Sequence, residues 1–113
     1  MLADLPPALA PIVQRVRQAV SAELPTGGVD QERIARRLGL STRTLQRRLS
    51  EVETSFQDVL EQTRRDVAMR MLRDRSASVF DVAYMLGYAD TPSFYRAFKR
   101  WTGQTPQKYR ESA

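Results

Sequence analysis

A seven-residue pattern occurs twice in this chain, and the repetition constrains the fold more than any other feature. Ile34-Ala35-x-x-Leu38-Gly39-Leu40 returns as Val82-Ala83-x-x-Leu86-Gly87-Tyr88, displaced by 48 positions. After one inserted residue the match resumes at a displacement of 49, where Leu45-Gln46-Arg47-Arg48-Leu49 stands opposite Phe94-Tyr95-Arg96-Ala97-Phe98. Each copy reads as a short helix, a turn at glycine and a capped second helix, the layout of a helix-turn-helix. Ala35 and Ala83 fall where two helices cross closely, so a larger side chain would push them apart. Gly39 and Gly87 end the first helix of each copy, where a left-handed backbone costs least without a Cβ. Ser41 and Thr91 are the expected caps of the second helices.

Helical punctuation fills the rest of the chain. Pro6-Pro7 can open a first helix, with Leu9, Ile12, Val13, Val16, Ala19, Val20 and Leu24 at three- and four-residue steps. Pro25-Thr26-Gly27-Gly28 stops it, and Asp30 caps a helix from about Gln31 to Leu38. Ser55 and Asp58 have capping-box spacing at the start of a longer helix, whose inward stripe is Phe56, Val59, Leu60, Thr63, Val67, Ala68, Met71 and Leu72. Ser78 caps the next helix, Thr91 with Pro92 at the first helical position opens another, and Thr105-Pro106 opens a last turn. No segment reads as a strand. The expected fold is all-α, with about seven helices forming two helix-turn-helix subdomains joined by a long linker helix. Residues 1–54 would hold the N-terminal helix and first unit, 55–74 the linker helix, and 75–113 the second unit.

Composition narrows the chemistry. The 113 residues suffice for one core without disulfide staples, and there is neither cysteine nor histidine. The commonest metal ligands and the usual nucleophile and general base are therefore missing, and no glycine-rich phosphate loop or paired-carboxylate motif replaces them. The reading is of a non-enzyme with no catalytic residue, no metal site and no cofactor. The start, Met1-Leu2-Ala3-Asp4-Leu5, lacks the basic and apolar regions of a signal peptide, and no stretch is apolar enough to span a membrane. The absence of cysteine agrees with a cytoplasmic location. Net charge is +5, and 16 of the 18 cations are arginine, the residue suited to bidentate contact with phosphate and guanine.

The second helix of each copy offers those arginines outward. In the first copy the outward set is Thr42, Arg43, Gln46, Arg47 and Ser50; in the second it is Thr91, Ser93, Tyr95, Arg96, Lys99 and Arg100. Arginine can grip guanine, and glutamine adenine, through two parallel hydrogen bonds in the major groove. Hydroxyls, ammonium groups and helix N-termini serve phosphates. Arg43, Gln46, Arg47, Tyr95 and Arg96 are accordingly the candidate base readers. Thr42, Ser93, Lys99, Arg100 and Lys108 are the phosphate candidates. A connecting helix from about Ser55 to Asp74 would span roughly 30 Å, close to the ~34 Å turn of B-DNA. The two copies run in the same chain sense, so the DNA site should be asymmetric.

These residues resemble the DNA-binding domain of the AraC/XylS family of bacterial transcription regulators. The resemblance is strongest in Val82-Ala83, Leu86-Gly87-Tyr88, Ser93-Phe94-Tyr95-Arg96-Ala97-Phe98-Lys99-Arg100-Trp101-Thr102-Gly103 and Thr105-Pro106-x-x-Tyr109-Arg110. It extends to Thr44-Leu45-Gln46-Arg47-Arg48-Leu49 and Thr54-Ser55-Phe56, and covers about Val29 to Arg110. It implies sequence-specific binding of double-stranded DNA, with base contacts from Arg43, Gln46 and Arg47 and from Thr91, Ser93, Tyr95 and Arg96. It also implies a separate effector-sensing or dimerisation domain, for which this chain has no room, so the chain reads as a fragment of a longer regulator. Two positions depart from the family. Glu53 stands where glycine is common, so a turn of different geometry is expected there. Pro92 replaces a polar side chain, with the loss of one DNA contact expected.

Other residues have blander readings. Phe56, Phe94 and Phe98 fall on inward stripes and read as core rather than as base-stacking groups, whereas Phe80 and Trp101 are not placed by periodicity. Met69 reads as an ordinary surface methionine, with a contact for RNA polymerase as its alternative. Asp58, Glu61, Asp66 and Asp74 interleave with Arg64, Arg65, Arg70 and Arg73 as a solvated, salt-bridged face. The competing function is a helical interaction module whose basic faces bind an acidic partner.

Overall fold

The computed structural model describes Pro6 and residues 10–113. Among these residues there are seven α-helices and no strand: α1 (Pro11–Glu23), α2 (Gln31–Arg37), α3 (Thr42–Glu51), α4 (Phe56–Arg73), α5 (Val79–Met85), α6 (Thr91–Thr102) and α7 (Pro106–Ser112). A 3-10 turn, Leu24–Thr26, follows α1. Pro7 and Leu9, expected in the first turns of α1, lie outside the described residues; Pro11 occupies the first helical position.

Contacts divide the chain into two compact units. Unit 1 comprises residues 1–23 and 29–63; unit 2 comprises 24–28 and 64–113, so the boundary falls inside α4 between Thr63 and Arg64. In unit 1, Val13, Val16 and Val20 of α1 are buried with Ile34 and Ala35 of α2, Leu45 and Leu49 of α3, and Phe56, Val59 and Leu60 of α4. Burying such side chains contributes about 1.5–3 kcal/mol each. Thr63 is buried too, its hydroxyl donating to the Val59 carbonyl at 2.6 Å. Unit 2 is built on Leu24, Ala68, Leu72, Val82, Ala83 and Leu86 with an aromatic cluster. The Phe94 ring lies 5.8 Å from Phe98 and 5.5 Å from Tyr88, and Phe98 meets Trp101 at 6.3 Å and Tyr109 at 5.6 Å.

Local chemistry explains the helix starts. Asp30, Ser41 and Thr105 accept from the backbone N–H three residues on. Ser78 and Asp81 form a reciprocal capping box, and Ser55 accepts from the Asp58 N–H at 3.2 Å. The cap of α6 is Asp90, not Thr91, which with Pro92 lies one residue further into the helix. The Asp90 carboxylate accepts from the Ser93 N–H at 2.7 Å, and an ionised acceptor outcompetes a hydroxyl at a helix N-terminus. Asp90 is also the residue that the displacement of 49 pairs with Ser41.

Three helices end alike. Leu40 N–H donates to the Ala35 carbonyl and Gly39 N–H to Arg36; Tyr88 donates to Ala83 and Gly87 to Tyr84; Thr54 donates to Leu49 and Glu53 to Ser50. Each is a paired termination requiring a left-handed residue, supplied by Gly39 (φ 73°), Gly87 (φ 84°) and Glu53 (φ 62°). The expected change of turn geometry at Glu53 is therefore corrected. Its two flanking hydrogen bonds hold a glutamate in the conformation that glycine adopts more cheaply, at a cost of about 1–2 kcal/mol.

Two charged groups are withdrawn from open solvent. Glu23 is buried on α1 and receives Arg37 Nη1 at 2.8 Å and Arg33 Nε at 3.0 Å from α2. Arg64, expected on an open face, is half-buried with its guanidinium 5.5 Å from the centre of the Tyr88 ring. Met69 is half-buried.

Candidate nucleic-acid interface

The rotation of α3 is set by Leu45 and Leu49, both fully buried. Their burial turns Arg43, Gln46, Arg47 and Ser50 into solvent, with Thr42 half-buried beside the cap. Arg48 is exposed as well, a cation that the outward set omitted. Two of the candidate readers are already oriented by neighbours. Gln46 Nε2 donates to Gln31 Oε1 at 3.4 Å, and Arg47 Nη1 pairs with Glu51 Oε1 at 3.3 Å. The second pair is well exposed on both sides, and such i,i+4 pairs are worth only about 0.3–0.5 kcal/mol, so a DNA phosphate or base can replace Glu51 readily.

In unit 2, Phe94, Ala97 and Phe98 are the buried face of α6. Arg96, Lys99 and Arg100 are exposed; Thr91, Ser93 and Tyr95 are half-buried on the rim of the same helix. The Tyr95 ring meets Phe94 edge-on at 6.5 Å. Arg96 Nη2 donates to Ser93 Oγ at 3.3 Å. The Ser93 hydroxyl, its N–H and the Arg96 charge nearby hold that carboxyl below its ordinary value of 3.8. Lys108 is exposed, but on α7 rather than α6. Two exposed basic helix faces, each fixed in rotation by a buried apolar face and each following a glycine turn, are what a pair of recognition helices requires.

Residues 34–112 match a family described as a helix-turn-helix domain. The chain belongs to the AraC-type helix-turn-helix family. It is similar to an ornithine utilization regulator of Pseudomonas aeruginosa, 38% identical over 101 residues that make up 89% of this chain and 30% of that protein. It is similar in structure to a DNA-binding transcriptional dual regulator of Escherichia coli K-12, with a TM-score of 0.83, 29% identity, and coverage of 93% of this chain and 95% of that one. The DNA-binding domain of AdpA, solved in complex with a target DNA, matches with a TM-score of 0.72, 28% identity, and 90% and 91% coverage. The chain spans about three tenths of the length of the curated relatives it matches.

The AraC-type domain also secures its last helix in a way that the sequence hinted at only through Tyr109-Arg110. Arg110 Nε donates to the Leu72 carbonyl at 2.8 Å and Nη2 to Asp74 at 3.4 Å, satisfying carbonyls at the end of α4. The Tyr109 hydroxyl accepts from Arg73 Nη1 at 3.0 Å. Two serine contacts hold the Asp74 carboxyl low, the Ser76 N–H first and its hydroxyl second. On α5, Phe80 is 67% and Tyr84 68% exposed, and Met85 is exposed beside them. Periodicity did not find this patch. A displacement of 48 pairs these residues with the polar Glu32, Arg36 and Arg37 of α2, so an apolar surface there is no requirement of the repeat. Among the described residues no helix is long and apolar enough to cross a membrane, and no group of three acidic residues could hold a metal ion.

Proposed function

We propose that this domain binds double-stranded DNA sequence-specifically to regulate transcription, reading an asymmetric site with α3 and α6 in successive major grooves. The observation that carries the reading is Arg47 and Arg96, exposed at the same register of two capped helices that each follow a left-handed glycine. Arg43, Gln46 and Arg47, with Thr91, Tyr95 and Arg96, would meet base edges; Thr42, Ser93, Lys99, Arg100 and Lys108 would meet phosphates. The division into two reading units, α3 in one and α6 in the other, belongs to the same proposal. In a regulator about three times as long, an effector-sensing or dimerisation domain and RNA polymerase are the further partners, and the bacterial cytoplasm is the location. The domain acts by binding, not by catalysis.

Selection of bound duplexes from a random pool tests this directly. Two unlike boxes about one helical turn apart are expected. Binding without preference at any salt concentration would instead favour a module whose basic faces hold an acidic protein partner.

A further inference from the structure

Arg47 and Arg96 occupy equivalent positions, yet their neighbours hold them in opposite directions along the helix. Arg47 pairs with Glu51, one turn towards the C-terminus of α3. Arg96 donates to Ser93, one turn towards the N-terminus of α6, and the Ser93 N–H in turn donates to the Asp90 carboxylate at 2.7 Å. We propose that Asp90 and Ser93 are positioning residues which aim Arg96 along α6 and thereby determine how strictly that arginine demands one base pair. The inference rests on the reading of Arg96 as a base contact.

The chemistry is that of a relay. A serine hydroxyl has one hydrogen to donate and lone pairs to accept with. The Ser93 lone pairs accept from the Arg96 guanidinium, the Asp90 carboxylate anchors the Ser93 backbone through its N–H, and the same carboxylate attracts the cation at longer range. Arginine has five N–H donors, so one contact with Ser93 still leaves a fork for guanine. A freely swinging arginine reaches phosphates as easily as bases; one held from behind has already lost much of that freedom. The carboxylate also occupies the Ser93 N–H, so a phosphate at the start of α6 would meet the Ser93 hydroxyl rather than its backbone. Unit 1 has no such arrangement. There Ser41 is the cap, Thr44 takes the place of Ser93, and the Ser41 hydroxyl donates to Thr44 Oγ1 at 2.9 Å without a carboxylate at the cap. The two recognition helices are therefore set to read at different offsets, although their arginines share a register.

The test uses the duplex that the chain selects and begins with Arg96→Ala, which identifies the base pair whose preference depends on that residue. Dissociation constants for all four base pairs at this position are then measured with Asp90→Asn, Ser93→Ala and Ser93→Thr. Asparagine caps as well as aspartate, and threonine already occupies the equivalent place in unit 1, so the fold is retained and thermal unfolding checks it. Asp90→Asn and Ser93→Ala should each reduce discrimination at that pair about three- to tenfold, and Ser93→Thr should restore it. Asp90→Asn should also raise affinity for scrambled duplex, because a negative charge near the phosphates is lost. Unchanged discrimination in both variants, or an equal loss on all four base pairs, overturns the relay. If Arg96→Ala changes no single base pair, the reading of Arg96 itself falls, and the relay with it.

Discussion

Gly87 lies so close to Leu24 that a Cβ on the glycine would collide with the leucine carbonyl oxygen. The α-carbon of Gly27 closes the same space at 3.0 Å. Gly39, its partner in the repeat, has nothing within 4 Å of the equivalent point. Both glycines have positive φ, so an alanine at either would cost about 1–2 kcal/mol of backbone strain. Only at Gly87 must backbone also move. Gly87→Ala should therefore destabilise by about 2–5 kcal/mol in total, about 1–3 kcal/mol of it from overpacking, and Gly39→Ala by strain alone. Urea unfolding of the two variants gives the comparison, and equal losses would contradict the packing of Leu24–Gly28 against Gly87.

Glu53 is the non-glycine residue at a position whose hydrogen bonds require left-handed backbone. Glu53→Gly should raise stability by about 0.5–1 kcal/mol, the strain relieved less the entropy of the more flexible unfolded chain. The measurement is a shift of the thermal midpoint upward. A decrease would mean that the glutamate side chain contributes more than its backbone costs.

Asp74 and Asp90 both have folded-state pKa values below the ordinary 3.8. A lowered carboxylate pKa stabilises the fold fully above the unfolded value, and that contribution is lost as pH falls through 3.8 towards the folded value. Stability should thus drop on acidification below about pH 5. Asp74→Asn and Asp90→Asn should each flatten the drop when denaturant midpoints are followed from neutral pH downward. An unaltered pH profile in both variants would show that Ser76 and Ser93 do not hold these carboxylates.

Arg47→Ala should weaken binding to the selected duplex by about 1–3 kcal/mol and relax preference at one base pair. For seven or eight neutralised phosphates, log affinity should fall with log salt at a slope of about −6 to −7. Arg47→Ala should leave most of that slope, whereas Lys99→Ala and Arg100→Ala should each reduce it by about 1. Equal weakening on every sequence would reassign Arg47 to the DNA backbone.

The helices, their caps and their buried stripes were legible in the sequence because each depends on a few neighbouring residues. Leu45 and Leu49 set the face of α3, and Phe94 and Phe98 that of α6, by helical periodicity alone. Even the misplaced cap obeys a local rule: the displacement of 49 pairs Asp90 with Ser41, and the carboxylate is the stronger acceptor. The candidate readers emerged the same way, as whatever the buried stripe left outside.

Tertiary packing decided the rest, where a residue's surroundings come from distant parts of the chain. Nothing near Glu23 in sequence indicates that Arg33 and Arg37 will close over it, and nothing near Arg64 indicates the ring of Tyr88. Leu24 continues the apolar spacing of α1 but packs in unit 2, against the turn at Gly87. Phe80 and Tyr84 are apolar and yet exposed, because Val82, Ala83 and Leu86 already fill the inward face of their helix and its end. The repeat alone determined that two arginine-bearing helices would face outward. Which neighbour holds each arginine, Glu51 or the Ser93–Asp90 pair, was decided by side-chain geometry on the folded helix, since hydrogen bonds depend on distance and direction that residue type and spacing do not specify.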